Sequence, residues 1–302
     1  MAALQPGHQT IVFAGPTQAR IRSAVATGDD VDGVTIAGRA GVVLDGAQAG
    51  GSTDCLVARG AGVRVLHVEI RGCPQFAVQF SGPDGLLAHS VIRGNARGVQ
   101  VRGSGTRIGP DNALAANGTP GIQLATSATI EGNLLAQNEV GILVLSGSGG
   151  SEIARNVVRS STSDGVRTGP GVLDVRVWHN TVIGSGGAGL YLGTNNGGLD
   201  VRNNAFVLNS AGGVSGPQQS FSHLSHNAYV QGTGAACVGG CAPGEGALFT
   251  AAFVDRDGGD LRPAPGSPLV DAGASLGIDV NGPRPGHFNG SAPDIGAAEA
   301  SP

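Results

Sequence analysis

Arg167, Asp164 and Glu139 are the residues of this chain whose types and spacing suit proton transfer. Glu139 and Asp164 each stand just before a glycine-led apolar run, in the segments NEVGILV and SDGVRT. Two carboxylates held about 5 Å or about 6.5–9.5 Å apart are the arrangement that acid–base hydrolysis of an acetal requires. The 302 residues contain no lysine, so Arg167 is the candidate base for taking a proton beside a carboxylate, with Arg97 and Arg102 two to three segments away. Gln79, Gln100, Gln123 and Tyr191 fall at the same offset in their own segments as Arg167 does in its own, and Leu143 interrupts them. Amides and a guanidinium suit hydroxyl and carboxylate recognition, and an aromatic face adds a stacking surface. The plainer reading makes the acids corner or surface carboxylates and the row an ordinary solvated face. His67, His89, His179, His223 and His226 lie off this row, where they replace or flank corner residues.

A repeat is what would bring such residues together. Asn133, Asn156, Asn180, Asn204 and Asn227 recur at intervals of 23, 24, 24 and 23 residues, each between two short apolar runs. Asn112 and His89 extend the series backward. A second row follows at Asn95, Asn117, Asn138, Ser161, Ser185 and Asn209, and a third at Gly98, Gly121, Gly141, Gly165, Gly189 and Gly213. Periods of this length built from short strands mark a solenoid. One coil therefore holds three strands, and identical side chains of successive coils stack about 4.8 Å apart. Asparagine suits the corners because it tolerates the left-handed backbone and its amides can pair along the axis. Ile130, Ile153, Val177, Val201 and Leu224 before the corner, and Leu135, Val158, Val182, Phe206 and Tyr229 after it, form the inward ladders.

Composition agrees with that reading and excludes others. Fifty-four glycines without a three-residue period exclude collagen, and 40% hydrophobic residues support a packed core. Eighteen arginines against 22 acids, for a net charge of −4, leave no basic footprint for nucleic acid. No apolar run is long enough to span a membrane. The start, MAALQPGHQT, has neither the basic nor the apolar region of a signal peptide. Cys55 and Cys73 can meet across adjacent coils, and Cys237 and Cys241 flank a flexible VGG loop. Four cysteines in a glycine-rich, lysine-free chain favour an oxidising compartment, with buried free thiols as the alternative.

The coils resemble those of right-handed parallel β-helix proteins of the pectate-lyase-like superfamily, and the opening VTIAGRAGVVLDG is similar to a first coil of that class. The tail, FVDRDGGDLRPAPGSPLVDAG followed by DVNGPRP and DIGAAE, resembles the C-terminal cap of secreted bacterial members. The resemblance covers nearly the whole chain. It implies an all-β, three-sheet solenoid of about eight or nine coils. Residues 1–53 are expected as an N-terminal cap with irregular first coils, 54–232 as regular coils and 233–302 as a C-terminal cap.

The resemblance implies a site on the glycine-led sheet and a polysaccharide or glycan partner for a secreted or cell-envelope monomer. Arg167, Asp164 and Glu139 are then the catalytic candidates, and Gln79, Gln100, Gln123, Tyr191 and Arg102 the substrate-binding ones. Catalytic and non-catalytic roles both remain open. The superfamily holds lyases, hydrolases and members without activity, and the short return turns SGSGG, GPG and TNNGG build no deep cleft. No cofactor is required. The alternating acids of VDRDGGD admit calcium but lack the spacing and final glutamate of a helix-loop-helix calcium loop, and the cap's own turns explain them equally.

Overall fold

The computed structural model describes residues 10–13, 18–39, 41–51, 53–216, 220–230, 253–277 and 288–301. Three parallel sheets of ten, ten and nine strands run the length of the molecule, and no helix occurs among the described residues. A typical coil contributes Ala128–Glu131 to the first sheet, Leu134–Ala136 to the second and Ile142–Val144 to the third. The fold is thus the three-sheet parallel solenoid expected from the repeat. Strands Thr10–Phe13, Gln18–Arg20 and Val25–Ala26 already belong to these sheets, so the coils begin well before residue 53.

The inward ladders occupy the positions expected of them. Ile130, Ile153 and Val201 in the first sheet and Leu135, Val158 and Val182 in the second are all fully buried. Burying so many aliphatic side chains in one continuous column is what holds coils whose strands are only about three residues long.

The asparagine ladders carry the corner between the first two sheets, by a route that differs from the expectation. The left-handed residue is the one before each asparagine: Asp111, Gly132, Arg155, His179, Asn203 and His226 all have positive φ. The asparagine turns inward, and its amide satisfies the corner. Asn156 Oδ1 accepts from both the backbone N–H and the Nδ2–H of Asn133, at 3.1 and 2.9 Å, while Asn156 Nδ2 donates to Ile130 O at 2.9 Å. His89 is likewise a left-handed corner residue, and Ser90 is the ladder member, its N–H donating to Asn112 Oδ1 at 2.9 Å.

The second ladder runs Asn95, Asn117, Asn138 at 2.9 and 3.0 Å, then breaks at Ser161 and Ser185, whose buried hydroxyls have no hydrogen-bond partner among the described residues. Its first member is Cys73, whose N–H donates to Asn95 Oδ1 at 2.9 Å and whose Sγ is bonded to Cys55. The expected pairing across coils is therefore present. Cys237 and Cys241 lie outside the described residues.

The glycine column exists for close approach. Gly98, Gly121, Gly141, Gly165 and Gly189 have no positive φ, but a Cβ on Gly98 would strike the Gly121 carbonyl oxygen, and one on Gly165 would strike Val182. Each glycine therefore lets the next coil settle against it.

The described parts of the tail lie along the outer face of the second sheet. Leu269 and Ile295 pack on Ala205, Val207, Ala228 and Val230. Asn203 fastens them, its Oδ1 accepting from Ala274 N–H at 2.9 Å and its Nδ2 donating to Ala274 O at 2.7 Å. The described tail clasps the flank of the last coils, and Asp279, Gly282 and Arg284 of the tail pattern lie outside the described residues.

Candidate functional site

Strand pairing places Gln79, Gln100, Gln123, Leu143, Arg167, Tyr191 and Ser215 side by side, one per coil, on the outer face of the glycine-led sheet. The row read from the sequence is therefore a physical row. Its members differ in access: Tyr191 is exposed, Arg167, Gln79 and Gln123 are half-buried, and Gln100 is buried among its neighbours. Gln79 Nε2 donates to Ser81 Oγ at 2.6 Å. Arg102 stands two residues beyond Gln100, exposed, beside the main row.

Arg167, Asp164 and Tyr191 come together. The buried Asp164 accepts from Arg167 Nε–H on Oδ2 at 2.6 Å and from the Ala188 backbone N–H on Oδ1 at 2.8 Å. Arg167 Nη2 also donates to Ser163 Oγ at 2.8 Å, and the guanidinium carbon lies 5.6 Å from the Tyr191 ring centre. Asp164 thus splints Arg167 across the aromatic ring, with each of its oxygens engaged.

Glu139 does not join them. It is exposed in a turn, level with Ser163, whose N–H donates to Glu139 O at 2.8 Å; Asp164 is level with Val140. The one-residue offset keeps the two acids out of the matched positions that the sequence spacing suggested.

The first sheet carries more charge than the sequence reading gave it. Buried Glu131 bridges Arg107 and Arg155. The guanidinium groups of Arg176 and Arg202 each lie over the Trp178 ring, at 5.3 and 5.4 Å from its centre. His67 and His89 stack with ring centres 5.0 Å apart. The available signal was the spacing of 22 residues between the two histidines, which puts both at one corner position.

In the tail, Asp260 is held by Arg262 through both of its oxygens, and its carboxyl is pulled down to about 2 mainly by hydrogen bonding from that guanidinium. Asp255 Oδ1 accepts from Gly258 N–H at 2.9 Å. Asp255 and Asp260 of VDRDGGD are thus hydrogen-bonded within the tail itself. Among the described residues no three His, Cys, Asp or Glu side chains are grouped to hold a metal ion.

The family described as "Periplasmic copper-binding protein (NosD)" matches residues 33–233, two thirds of the chain. The chain belongs to the NosD family. The crystal structure of pectate lyase Pel9A superposes on this NosD-family chain with a TM-score of 0.56 and 16% identity, covering 99% of this chain and 90% of that one. At that identity the likeness is one of fold. No curated protein matches the chain. No helix among the described residues is long and apolar enough to cross a membrane.

Proposed function

We propose that this NosD-family chain is a carbohydrate-directed solenoid that holds an extended glycan along its glycine-led sheet. The observation that carries the reading is the in-register row from Gln79 to Tyr191, one side chain per coil. Strands about 4.8 Å apart offer polar groups at a repeat close to the width of a sugar ring. Tyr191 supplies a face for stacking and Arg167 a cation oriented by Asp164.

Binding without turnover is the better supported form of this reading. Arginine does not give up its proton in proteins, and Arg167 is paired with a carboxylate. Asp164 accepts from Arg167 and Ala188 on its two oxygens, and Glu139 stands one residue out of register with it, which speaks against these two acids as a matched carboxylate pair. The second form, a lyase or hydrolase, draws on the meeting of Arg167, Asp164 and Tyr191 on one face. The likeness to a pectate lyase also raises it, as an analogy of fold.

The family's description names copper and the periplasm. A disulfide between Cys55 and Cys73 fits an oxidising envelope or secreted location. The described residues do not fit copper: those cysteines are consumed in the disulfide, and the His67 and His89 rings lie 10° from parallel, so their in-plane lone pairs do not converge.

A panel of purified pectin, alginate, glycosaminoglycans and neutral glycans tests the reading, scored for binding and for unsaturated or reducing-end products. Binding that is lost in Tyr191→Ala supports it. No binding to any glycan sinks it, and reproducible product formation replaces the binding form with the enzymatic one.

A further inference from the structure

The outer face of the first sheet contains a hollow of about 430 Å³, on a different sheet from the glycine-led row. Its floor is aliphatic: Leu66, Leu86 and Ala88, with Leu66 and Ala88 aligned across neighbouring strands. Arg64, Leu86 and Arg107 are consecutive members of one outward row, so the two guanidinium groups flank Leu86 from either side. The stacked imidazoles of His67 and His89 form the rim.

The charges around this hollow do not balance. Arg107 is paired with Glu131, which is shared with Arg155. Asp111 Oδ2 lies 3.3 Å from His89 Nδ1. Arg64 is exposed and has no acidic partner among the described residues. A chain with a net charge of −4 therefore presents a local excess of cations here, over a floor that water wets poorly.

We infer that this hollow binds an organic carboxylate, with the Arg64 guanidinium taking the carboxylate and Leu66, Leu86 and Ala88 taking the apolar flank of the molecule. A guanidinium offers two parallel N–H donors that match a carboxylate, and pairing beside an apolar floor strengthens the attraction. A bare inorganic anion would leave the floor uncovered, and a neutral apolar molecule would leave Arg64 unmatched. The site is separate from the glycan row and does not depend on it.

The same carboxylate can be free or borne on a sugar, and two probes separate those sources: phenylacetate and digalacturonate. Each is titrated against the folded full chain by saturation-transfer NMR, beside phenylethanol and inorganic phosphate. Phenylacetate or digalacturonate is expected to bind, and Arg64→Gln to weaken that binding about tenfold, the scale of one charge-assisted hydrogen-bonded pair. Leu86→Gln, at a half-buried surface position, is expected to weaken it as well while leaving the thermal midpoint in place. Failure of both probes to bind overturns the inference. So does binding that Arg64→Gln leaves unchanged, or phosphate binding as tight as that of either probe. Digalacturonate binding that is lost only in Tyr191→Ala, with no binding of phenylacetate, also overturns it, while leaving the glycan row standing.

Discussion

The side-chain amide of Asn133 donates to Asn156 Oδ1 at 2.9 Å, and the same oxygen accepts the Asn133 backbone N–H at 3.1 Å. One atom of one coil thus satisfies two donors of the coil before it. Asn156 in turn donates to Ile130 O and Ala154 O, at 2.9 and 3.0 Å, and to Asn180 Oδ1 at 3.0 Å. Both asparagines are buried, so no water replaces a lost partner. Asn156→Ala is expected to lower unfolding stability by about 3 kcal/mol or more, since each orphaned buried polar group costs about 1–3 kcal/mol. Leu134→Ala, one residue past the ladder and 41% exposed, serves as the control with little change. Urea denaturation of both variants tests this, and equal midpoints would remove the ladder from the account of stability.

The Cys55–Cys73 bond closes a loop of 18 residues between two coils. Constraining that loop in the unfolded chain contributes about 3 kcal/mol in the chain-entropy account. The double variant Cys55→Ala/Cys73→Ala keeps the Cys73 N–H bond to Asn95 and removes only the crosslink. A thermal midpoint lowered by several degrees under oxidising conditions is expected. An unchanged midpoint would mean that the coils alone fix this end.

The repeat was legible because amide stacking demands the same residue at the same level in each coil, which writes a period of about 23 into the sequence. The left-handed corner residue was not legible. His67, Asp111, Gly132, Arg155 and Asn203 share that conformation and nothing else, because the ladder amides hold the turn whatever side chain points outward. Ser90 was missed for a related reason: where the ladder ends, a short hydroxyl suffices to accept the role and carries no asparagine signal. The outward row followed directly from strand register. The partners within it did not, since Glu139 and Asp164 sit in turns where a single residue of offset separates them. Asp271, Asp294 and Glu299 of the tail pattern proved to be hydrogen-bond acceptors for the tail's own backbone.

His179 and Glu299 give the tail clasp a dependence on pH. His179 is fully buried, and its ring is lowered from 6.5 to about 4, chiefly by that burial. Its Nε2 faces Asn203 Nδ2 at 2.8 Å, so the neutral ring accepts there and a protonated one would set donor against donor. The unfolded ring takes a proton first, so this contribution is complete above pH 6.5 and lost as the pH falls to about 4.

Glu299 behaves in the opposite sense. Burial and the nearby Asp294 raise it from 4.5 to about 7, so its contribution is complete below pH 4.5 and lost as the pH rises to about 7. The two shifts are similar in size and opposite in sense. Between pH 4.5 and 6.5 the two slopes oppose each other and the wild-type profile is expected to be flat. Glu299→Gln fixes the neutral form and uncovers the histidine, so its stability is expected to rise steadily from pH 4 to 6.5. Denaturant midpoints across that range decide it, and a variant profile parallel to wild type would exclude Glu299 as the opposing group.

Asp164 distinguishes binding from turnover on the glycine-led face. Asp164→Asn retains an oxygen for the Ala188 N–H, so the turn is expected to survive, but it removes the charge that holds Arg167 over Tyr191. If the trio binds glycan, Tyr191→Ala and Arg167→Gln each weaken binding about tenfold, in line with stacking and charge-assisted contacts. Asp164→Asn then has a smaller effect, and on an acidic glycan it tightens binding, because Arg167 no longer shares its charge with a neighbouring carboxylate. If the trio instead performs proton transfer, Asp164→Asn abolishes product while leaving the affinity for substrate nearly intact. The separation of affinity from product in that one variant is the measurement that assigns the face, because the same side chain restrains the cation in one account and moves the proton in the other.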